Sequence, residues 1–552
     1  MAVPLLSKAI HFMCRVGTYP GYKKFVSALH DVENTQRKVL KELLKLSDKS
    51  EFGKNNSLNG GMSYETFAGI QPVTDYKDWS ALIKKQREEG GTVISGQKCY
   101  RYQPTSGSTS KIKRIPYTPK LLKELDNCIS PWIYDLYKTE KGIRRGKHYW
   151  SLSWVPTDLR FEMDDNVSDD MKLMPAWKRF IGSLTMAVPN EVSATPTSES
   201  SIFATSAYLA SVKDLTFLSM WSPTFAINQL EYMAENRYEI AGVLETGNWG
   251  NRAVELASVK CPSSKRAAKI LKAWDGILTP GFFELLWPNL SLISSWATST
   301  SSVWAKELKE KFNNVSFQGK SLWATEGVVT IPFQDKYPLA VTSHFYEFED
   351  LETGEILPSW QLKKGQILSP LLSTGSGFFR YRLSDRVKVV DYIGDCPCFE
   401  FLGRMDGVDM IGEKMNPEIA QGVINSVSEK SSITPLTLFA IQNPSGKPYY
   451  LLLCEGEASP AFQKLTSEYV DNILREYFHY NLGRDLGQLE HAKCLISPNA
   501  KNISEFRGRK MGMIMGDMKV EPLTLWTCEL HEEIMQLQED NSWAQMETNY
   551  GT

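Results

Sequence analysis

The sequence predicts an α/β protein with a large N-terminal domain over residues 1–403 and a small, mobile α+β domain over residues 404–525. Two observations support this fold class. Between residues 200 and 345, apolar stretches of strand length alternate with stretches of helical periodicity, as in a mostly parallel sheet. Beyond residue 404, two neighbouring strand-like runs are flanked by longer helical segments. Residues 526–552 are expected to form a polar tail.

The first element expected is an amphipathic helix over residues 30–46, where apolar side chains recur with a helical period among charged residues. A helix at 202–212, a short apolar strand at 215–220 and a helix from Pro223 then follow one another. A proline in the first helical turn costs no hydrogen bond there. Further strands are expected at 290–293, 328–333 and 339–348.

Residues 378–390 alternate in polarity and predict an antiparallel hairpin or a β-barrel-like wall. The block 401–415 is rich in glycine and charge and predicts a hinge. After it, Asn416 and Pro417 are typical of the N-cap and the first turn of a helix. The smaller domain is completed by expected strands at 436–441, 449–453 and near Cys494, and by a long helix over 459–480.

Composition excludes several classes of protein. Among 552 residues, 62 lysines and arginines face 64 acidic residues, a balance that argues against a nucleic-acid or anionic-membrane binder. Hydrophobic residues make up 42%, enough for a packed core. No apolar run reaches the roughly 18 residues of a membrane span, and the first six residues lack the charge of a secretory signal. We expect a cytoplasmic monomer.

Cysteine and histidine usage predicts neither disulfides nor a structural metal. The nine cysteines are scattered, and the closest pair, Cys396 and Cys398, is separated by one residue rather than the two of a redox or zinc motif. The seven histidines are dispersed, with no zinc-binding H-E-x-x-H. Reduced thiols are expected.

A Ser/Thr/Gly cluster is the first segment that could bind phosphate. It comprises Pro104, Thr105, Ser106, Gly107, Ser108, Thr109 and Ser110, and lysines at 111 and 113 follow it. A polyphosphate site needs converging backbone N–H groups, small side chains, hydroxyl donors and a cation, and this segment supplies all four. An ordinary surface loop has the same composition, so both interpretations stay open. The spacing is not that of a Walker-type NTPase.

Three further motifs could contribute to the same chemistry. Thr325 and Glu326 precede an expected strand, where a hydroxyl could contact a phosphate and a carboxylate could help hold Mg²⁺. Asp385 lies in a β-segment, and its carboxylate has the acceptors to bind both hydroxyls of a ribose. Arg404 stands in a glycine- and charge-rich block. Each has a simpler alternative. Thr325 and Glu326 could form a solvated turn, Asp385 could form an ion pair with a neighbouring arginine, and Arg404 could belong to a charged linker.

In order and spacing, these motifs resemble those of the acyl-adenylate-forming superfamily, which includes firefly luciferase. The similarity is closest to the auxin-responsive (Gretchen Hagen) acyl-acid amido synthetases in their bacterial form. The motifs are T-S-G-S-T-S, A-T-E-G, Y-R-L-S-D, G-R-x-D and a C-terminal M-G-D-M-K at residues 515–519. The resemblance spans about residues 30 to 522.

The resemblance implies roles for the first two motifs. The phosphate loop, which comprises Ser106, Gly107, Ser108, Thr109 and Ser110, would surround the β- and γ-phosphates of ATP. Lys113 would be the cation beside it. Trp323 and Ala324 would border the adenine. Thr325 would contact the α-phosphate or the acyl-adenylate, and Glu326 would help hold Mg²⁺.

It also implies roles for the remaining motifs. Asp385 would bind the ribose hydroxyls, and Arg404 would reach the nucleotide from the hinge. Lys519, carried by the small domain, would lie between the attacking carboxylate and the α-phosphate. There its ammonium group would offset the charge that develops in the transition state.

The activity implied is an ATP- and Mg²⁺-dependent ligase whose partners are a small-molecule carboxylic acid and an amine, in this family usually an amino acid. One alternative is an acyl-CoA-type ligase with a thiol acceptor. Another is a catalytically silent relative that binds a ligand or a protein. Departures from the family pattern support the latter: Lys111 directly follows Ser110, Leu322 replaces a tyrosine and Ser384 replaces a glycine.

The sequence identifies neither the acid nor the amine. An aromatic wall would suit a planar or aliphatic carboxylic acid. Candidates by neighbourhood alone are Trp150, Trp154, Phe203, Trp221, Trp296, Trp304, His344 and Phe345.

Overall fold

The computed structural model describes most of the chain. The described residues are 2–104, 113–151, 184–298, 301–405, 407–408, 410, 415–443, 446–485, 489–503 and 520–526. The chain divides into two compact units, the first ending at Leu402 and the second beginning at Gly403. Among the helices described, none has the length and apolar character needed to cross a membrane.

Helices dominate the N-terminal part of the first unit. They are α1 (Ala2–Ala28), α2 (Val32–Ser47), α3 (Glu51–Asn55), α4 (Tyr64–Ile70), α5 (Tyr76–Glu89) and α6 (Pro119–Thr139). Helix α2 matches the expected amphipathic helix and buries Leu40, Leu43 and Leu44. The strands β1 (Arg101–Pro104) and β2 (Arg114–Tyr117) pair antiparallel on either side of the proposed phosphate loop.

A parallel sheet of four strands follows, in the order β3 (Lys147–Trp150), β4 (Leu215–Ser219), β5 (Leu292–Ser295) and β6 (Ser316–Gly319). Every residue of β4 and β5 is buried, as expected for strands covered on both faces. The helices connecting and flanking these strands are α7 (Ser198–Ser211), α8 (Pro223–Glu235), α9 (Arg237–Thr246), α10 (Lys265–Ala273), α11 (Pro280–Leu286) and α12 (Ser301–Glu310). The predicted strand–helix alternation is confirmed here.

A second sheet of the first unit is antiparallel. Its strands are β9 (Phe345–Asp350), β10 (Ile356–Pro358), β11 (Ile367–Ser373), β12 (Tyr381–Arg382), β13 (Asp385–Ile393) and β14 (Cys396–Arg404). Before it, β7 (Trp323–Ala324) and β8 (Gly327–Val328) form a short hairpin. The antiparallel pairing expected around residues 378–390 is therefore present.

The strands expected at 328–333 and 339–348 are much shorter in the structure. Pro332 and Pro338 have no N–H to give to a ladder. Between them, Gln334 and Asp335 both have positive φ, 50° and 57°, and the chain reverses so that Phe333 pairs with Lys336. Two left-handed residues in succession define a tight turn, which interrupts the extended backbone.

The second unit has its own hydrophobic core, around Val423, Leu452 and Val470. Its elements are α13 (Pro417–Lys430), β15 (Thr434–Ile441), β16 (Tyr449–Glu455), α14 (Pro460–Arg475), α15 (Phe478–Asp485), β17 (Lys493–Ser497) and β18 (Leu523–Trp526). The strand order is β17-β16-β15-β18. The Asn416 side chain caps α13 by accepting from the N–H of Ile419 at 2.9 Å, as the sequence predicted.

Candidate active site

The β7–β8 hairpin presents Thr325 and Glu326 at its two-residue turn. Ala324 pairs with Gly327 across the turn. The hairpin backbone runs so close to His344 that a Cβ on Gly327 would lie 2.9 Å from His344 Nε2. Glycine is therefore required immediately after Glu326.

Two tyrosines from other segments hold this turn. The Tyr117 hydroxyl, from β2, donates to the carbonyl oxygen of Thr325 at 3.2 Å. The Tyr381 hydroxyl, from β12, donates to Glu326 Oε1, also at 3.2 Å. Burial and the adjacent Glu326 carboxylate raise the pKa of Tyr381, so this phenol stays protonated and remains a donor. The Glu326 carboxylate is thus buried and positioned by a neutral partner.

Behind the hairpin, a buried histidine and glutamate link it to α6. The N–H of Val328 donates to His344 Nε2 at 3.1 Å, so this nitrogen is the acceptor and the ring proton sits on Nδ1. Nδ1 then donates to Glu124 Oε2 at 2.8 Å. The same carboxylate oxygen accepts from the N–H of Gly375 at 2.8 Å. Glu124 therefore orients the histidine that supports the hairpin.

Two further predicted residues, Asp385 and Lys113, lie on segments that adjoin Tyr381 along the chain or through Tyr76. Asp385 begins β13, four residues after Tyr381, and is only 9% exposed. Thr74, two residues before Tyr76, pairs with Tyr381 as an isolated β-bridge, so the segment leading to Tyr76 runs beside that of Tyr381. Lys113 Nζ lies 5.8 Å from the centroid of the Tyr76 ring. Lys113 therefore lies beside Tyr76, and Asp385 follows Tyr381 closely along the chain.

The structure describes some of the other predicted site residues and not the rest. Residues 106–110 and Lys519 lie outside the described residues. Arg404 ends β14, but its side chain is not among those described. Trp323 and Ala324 form β7, and both side chains are partly buried.

The donor set around Glu326 suits magnesium bound together with phosphate. Among the described residues, no three acidic, histidine or cysteine side chains form a metal-binding group. Mg²⁺ is commonly held by one or two carboxylates together with substrate phosphates rather than by a protein cage. A single buried carboxylate at an ordered turn fits that mode of binding.

Burial divides the aromatic candidates for the acyl pocket into two groups. Phe203, His344 and Phe345 are fully buried, and His344 serves the hairpin instead. Trp150, Trp221 and Trp296 are partly exposed, so they remain candidates. Trp154 and the side chain of Trp304 lie outside the described part of the chain.

Sequence comparison identifies two matching domain families in order along the chain. Residues 21–317 match the GH3 family N-terminal domain, and residues 337–404 match the GH3 family central domain. Indole-3-acetic acid-amido synthetase GH3.5 of Arabidopsis thaliana is 21% identical over 466 residues, which is 74% of this chain and 72% of the relative. The 4-substituted benzoates-glutamate ligase GH3.12 of Arabidopsis thaliana is also 21% identical, over 81% of this chain and 83% of its own.

The fold agrees with these relationships. The solved structure of the AtGH3.15 acyl acid amido synthetase in complex with 2,4-DB superimposes with a TM-score of 0.77 at 16% identity, covering 95% of this chain and 96% of that one. This likeness shows that the chain has the fold of that acyl acid amido synthetase. More narrowly, the chain belongs to the GH3 family, and the resemblance inferred from its motifs is confirmed. Its enzyme class is that of the acyl acid amido synthetases.

Two residues near the hairpin have roles that sequence reasoning did not assign. Glu124 lies on α6, where nothing in the local sequence distinguishes a buried acid from an exposed one. Lys320 stands in the quoted segment before Thr325 but carried no predicted role. It is 7% exposed, and its Nζ donates to Ser219 Oγ at 2.8 Å.

Proposed function

We propose that this protein uses ATP and Mg²⁺ to convert a carboxylic acid into an acyl-adenylate and then transfers the acyl group to an amino acid. The supporting observation is the buried Glu326 carboxylate, held at an ordered turn by a neutral tyrosine in a chain of the GH3 family. The named relatives act on indole-3-acetic acid and on 4-substituted benzoates. A carboxylic acid with a planar or apolar body is accordingly the substrate class.

The reaction has two halves. A carboxylate oxygen of the acid attacks the α-phosphorus of ATP, and the bond from that phosphorus to the bridging oxygen breaks to release pyrophosphate. The amino-acid nitrogen then attacks the carbonyl carbon of the acyl-adenylate. The bond from that carbon to the phosphate oxygen breaks, AMP leaves, and the nitrogen loses its proton to solvent. The product is an amide.

On this proposal Glu326 holds Mg²⁺, which offsets phosphate charge when bound. Thr325 contacts the α-phosphate, and Trp323 and Ala324 border the adenine. Asp385 accepts from both ribose hydroxyls. The rigid support of the turn by Tyr117 and Tyr381 keeps Thr325 and Glu326 oriented before the nucleotide arrives, which lowers the cost of ordering them.

The remaining assignments follow from the motifs alone. Residues 106–110 bind the β- and γ-phosphates with Lys113, and Arg404 contacts the nucleotide. Lys519, in a mobile domain over 404–525, offsets charge between the carboxylate and the α-phosphate. We further propose that the protein is cytoplasmic and acts as a monomer. Light scattering tests the monomer against the chain mass of 62.5 kDa.

The test crosses a panel of carboxylic acids with the amino acids and with coenzyme A. Pyrophosphate release measures the first half-reaction, and mass spectrometry identifies the product. We expect acid-dependent pyrophosphate release and an amide. Lys519→Ala and Glu326→Gln should each reduce pyrophosphate release at least 100-fold, whereas Glu310→Gln, on the exposed side of α12, should not. A thioester product, or no acid-dependent pyrophosphate release, contradicts the proposal.

A further inference from the structure

Lys320 lies at the carboxyl edge of the parallel sheet, one residue beyond β6. Near the carboxyl ends of the four strands, one row of neighbouring residues crosses the sheet, each paired in register with the next. The row is Trp150, Ser219, Ser294 and Gln318. Paired residues of parallel strands face the same side, and Lys320, two positions after Gln318, faces that side as well. Ligands of open α/β sheets bind at this edge.

The Lys320 ammonium group is buried among aromatic rings. Its Nζ lies 4.7 Å from the ring centroid of Trp221, 5.9 Å from that of Trp132 and 6.0 Å from that of Trp150. These rings attract a cation through their π faces, but they accept no strong hydrogen bond. Among the described residues, Ser219 accepts from Nζ and no carboxylate pairs with it. Burial lowers the pKa of Lys320 to about 7, a sign of how poorly its charge is solvated.

A second polar group points to a ligand at the same place. Ser294 lies between Ser219 and Gln318 in the row and is fully buried. Its hydroxyl has no hydrogen-bond partner among the described residues. A buried hydroxyl without a partner is costly, and an incoming oxygen acceptor would satisfy it.

The aromatic cage adjoins the hairpin that carries Thr325 and Glu326. The ring of Trp323 lies 5.8 Å from that of Trp132 and 6.3 Å from that of Trp221. Trp150, Trp221 and Trp323 are partly exposed, although the ammonium group beneath them is buried. The walls of the cage therefore reach both solvent and the hairpin.

We propose that Lys320 binds the carboxylate of the acyl acid, and that the surrounding tryptophans contact the body of that acid. The inference rests on the proposed function and adds the residue that selects an anion. A carboxylate would give Lys320 a charge-assisted hydrogen bond, and Ser294 could donate a second one to the same group. A neutral amide of the same shape offers the ammonium group no opposite charge and so binds weakly.

Isothermal titration calorimetry on the full chain without ATP tests this assignment. The probes are acetate, benzoate, indole-3-acetate and the neutral analogue benzamide. We expect at least one carboxylate to bind wild type ten-fold or more tightly than benzamide binds. Lys320→Met should abolish that preference while leaving ATP affinity and the melting temperature near wild type, since replacing a buried charge by an apolar side chain is often neutral or stabilising. Lys336→Met, which removes a surface ion pair with Asp391, should bind like wild type.

The outcomes separate this inference from the proposed function. Equal carboxylate affinity in Lys320→Met and wild type, or no carboxylate bound more tightly by wild type than by the variant, overturns the role of Lys320. If carboxylate binding depends on Lys320 but no pyrophosphate is released, Lys320 still binds the acid, and the proposed ligase activity is contradicted instead. Where both hold, Lys320→Met raises the KM for the acid at least ten-fold in pyrophosphate release.

Discussion

At the scale of single residues, we predict that the hydroxyl of Tyr381 lowers the concentration of Mg²⁺ that the reaction needs. Tyr381→Phe removes the donor to the buried Glu326 carboxylate and should cost about 1.5–3 kcal/mol of unfolding free energy, the usual worth of a hydrogen bond to a charged group. The carboxylate then loses its orientation, so half-maximal pyrophosphate release should need several-fold more Mg²⁺. Magnesium titration of steady-state activity measures this.

The control is Tyr392→Phe, which removes a hydroxyl bonded to the carbonyl of Leu362 on the same sheet. It should cost about 1 kcal/mol of unfolding free energy, and its response to magnesium should match that of wild type. If the two variants respond to magnesium alike, Tyr381 has a purely structural role.

The sequence alone identified some residues of the candidate site, but not the buried residues around them. Thr325 and Glu326 are neighbours in sequence, so their motif could be recognised directly. Lys320 could not be interpreted in this way, because its partner Ser219 is 101 positions away and the rings around it come from three separate segments of the chain. Burial of a charge depends on packing between distant segments, which local sequence does not express.

At the scale of elements, Glu124 connects α6 to the hairpin through His344 and to Gly375. Glu124→Gln replaces a charged acceptor of two buried hydrogen bonds, and we expect a loss of about 2–3 kcal/mol in urea unfolding. Glu42→Gln is the matched control, because Glu42 also contacts Lys120 but is exposed on α2. It should cost less than about 0.5 kcal/mol. Equal losses would show that Glu124 acts only through Lys120.

Helix α1 and strand β3 meet at a stacked pair of histidines, His11 and His148, whose ring centroids are 4.7 Å apart. Burial lowers the pKa of His148 to about 3. The folded protein therefore keeps this ring neutral, whereas the unfolded chain protonates it near pH 6.5. The stabilisation is complete above pH 6.5 and is lost as pH falls toward 3, by about 2 kcal/mol between pH 7.5 and pH 5.

Urea unfolding at these two pH values measures the loss. His148→Phe should be less stable at pH 7.5, since the carbonyl of Ile143 loses its donor, but its stability should change less with pH. His30→Gln, at an exposed position, should keep the wild-type pH dependence. An unchanged slope in His148→Phe would exclude His148 as the source.

Element boundaries were predictable where capping and polarity agree. Pro223 indicated the start of α8, and the hydroxyl of the preceding Ser222 caps it. The helix expected over residues 459–480 is instead two helices, α14 and α15, with a break after Arg475. Apolar periodicity continues across that break, so the pattern could not reveal it.

For the whole molecule, the sequence indicated two units because the strand and helix pattern changes near residue 404, and the structure divides at residues 402 and 403. The order in which strands pair within each unit was harder to predict from the sequence. Strand β15 lies parallel to β18, which comes more than 80 residues later in the chain, and antiparallel to β16. Such long-range order depends on side chains that meet only after folding.

Binding of ATP should stabilise the molecule, because a ligand bound only by the folded state adds about 2.7 kcal/mol at 100 times its Kd. Asp385→Asn should weaken ATP binding and remove most of this thermal shift, while the melting temperature without ATP changes little. Asp391→Asn, in the same strand but paired with Lys336 on the surface, should keep the full shift. Thermal melts over an ATP titration compare the three proteins. A large loss of stability without ATP in Asp385→Asn, together with an intact ATP shift, would show that the Asp385 carboxylate serves a structural ion pair and that the ribose is bound elsewhere.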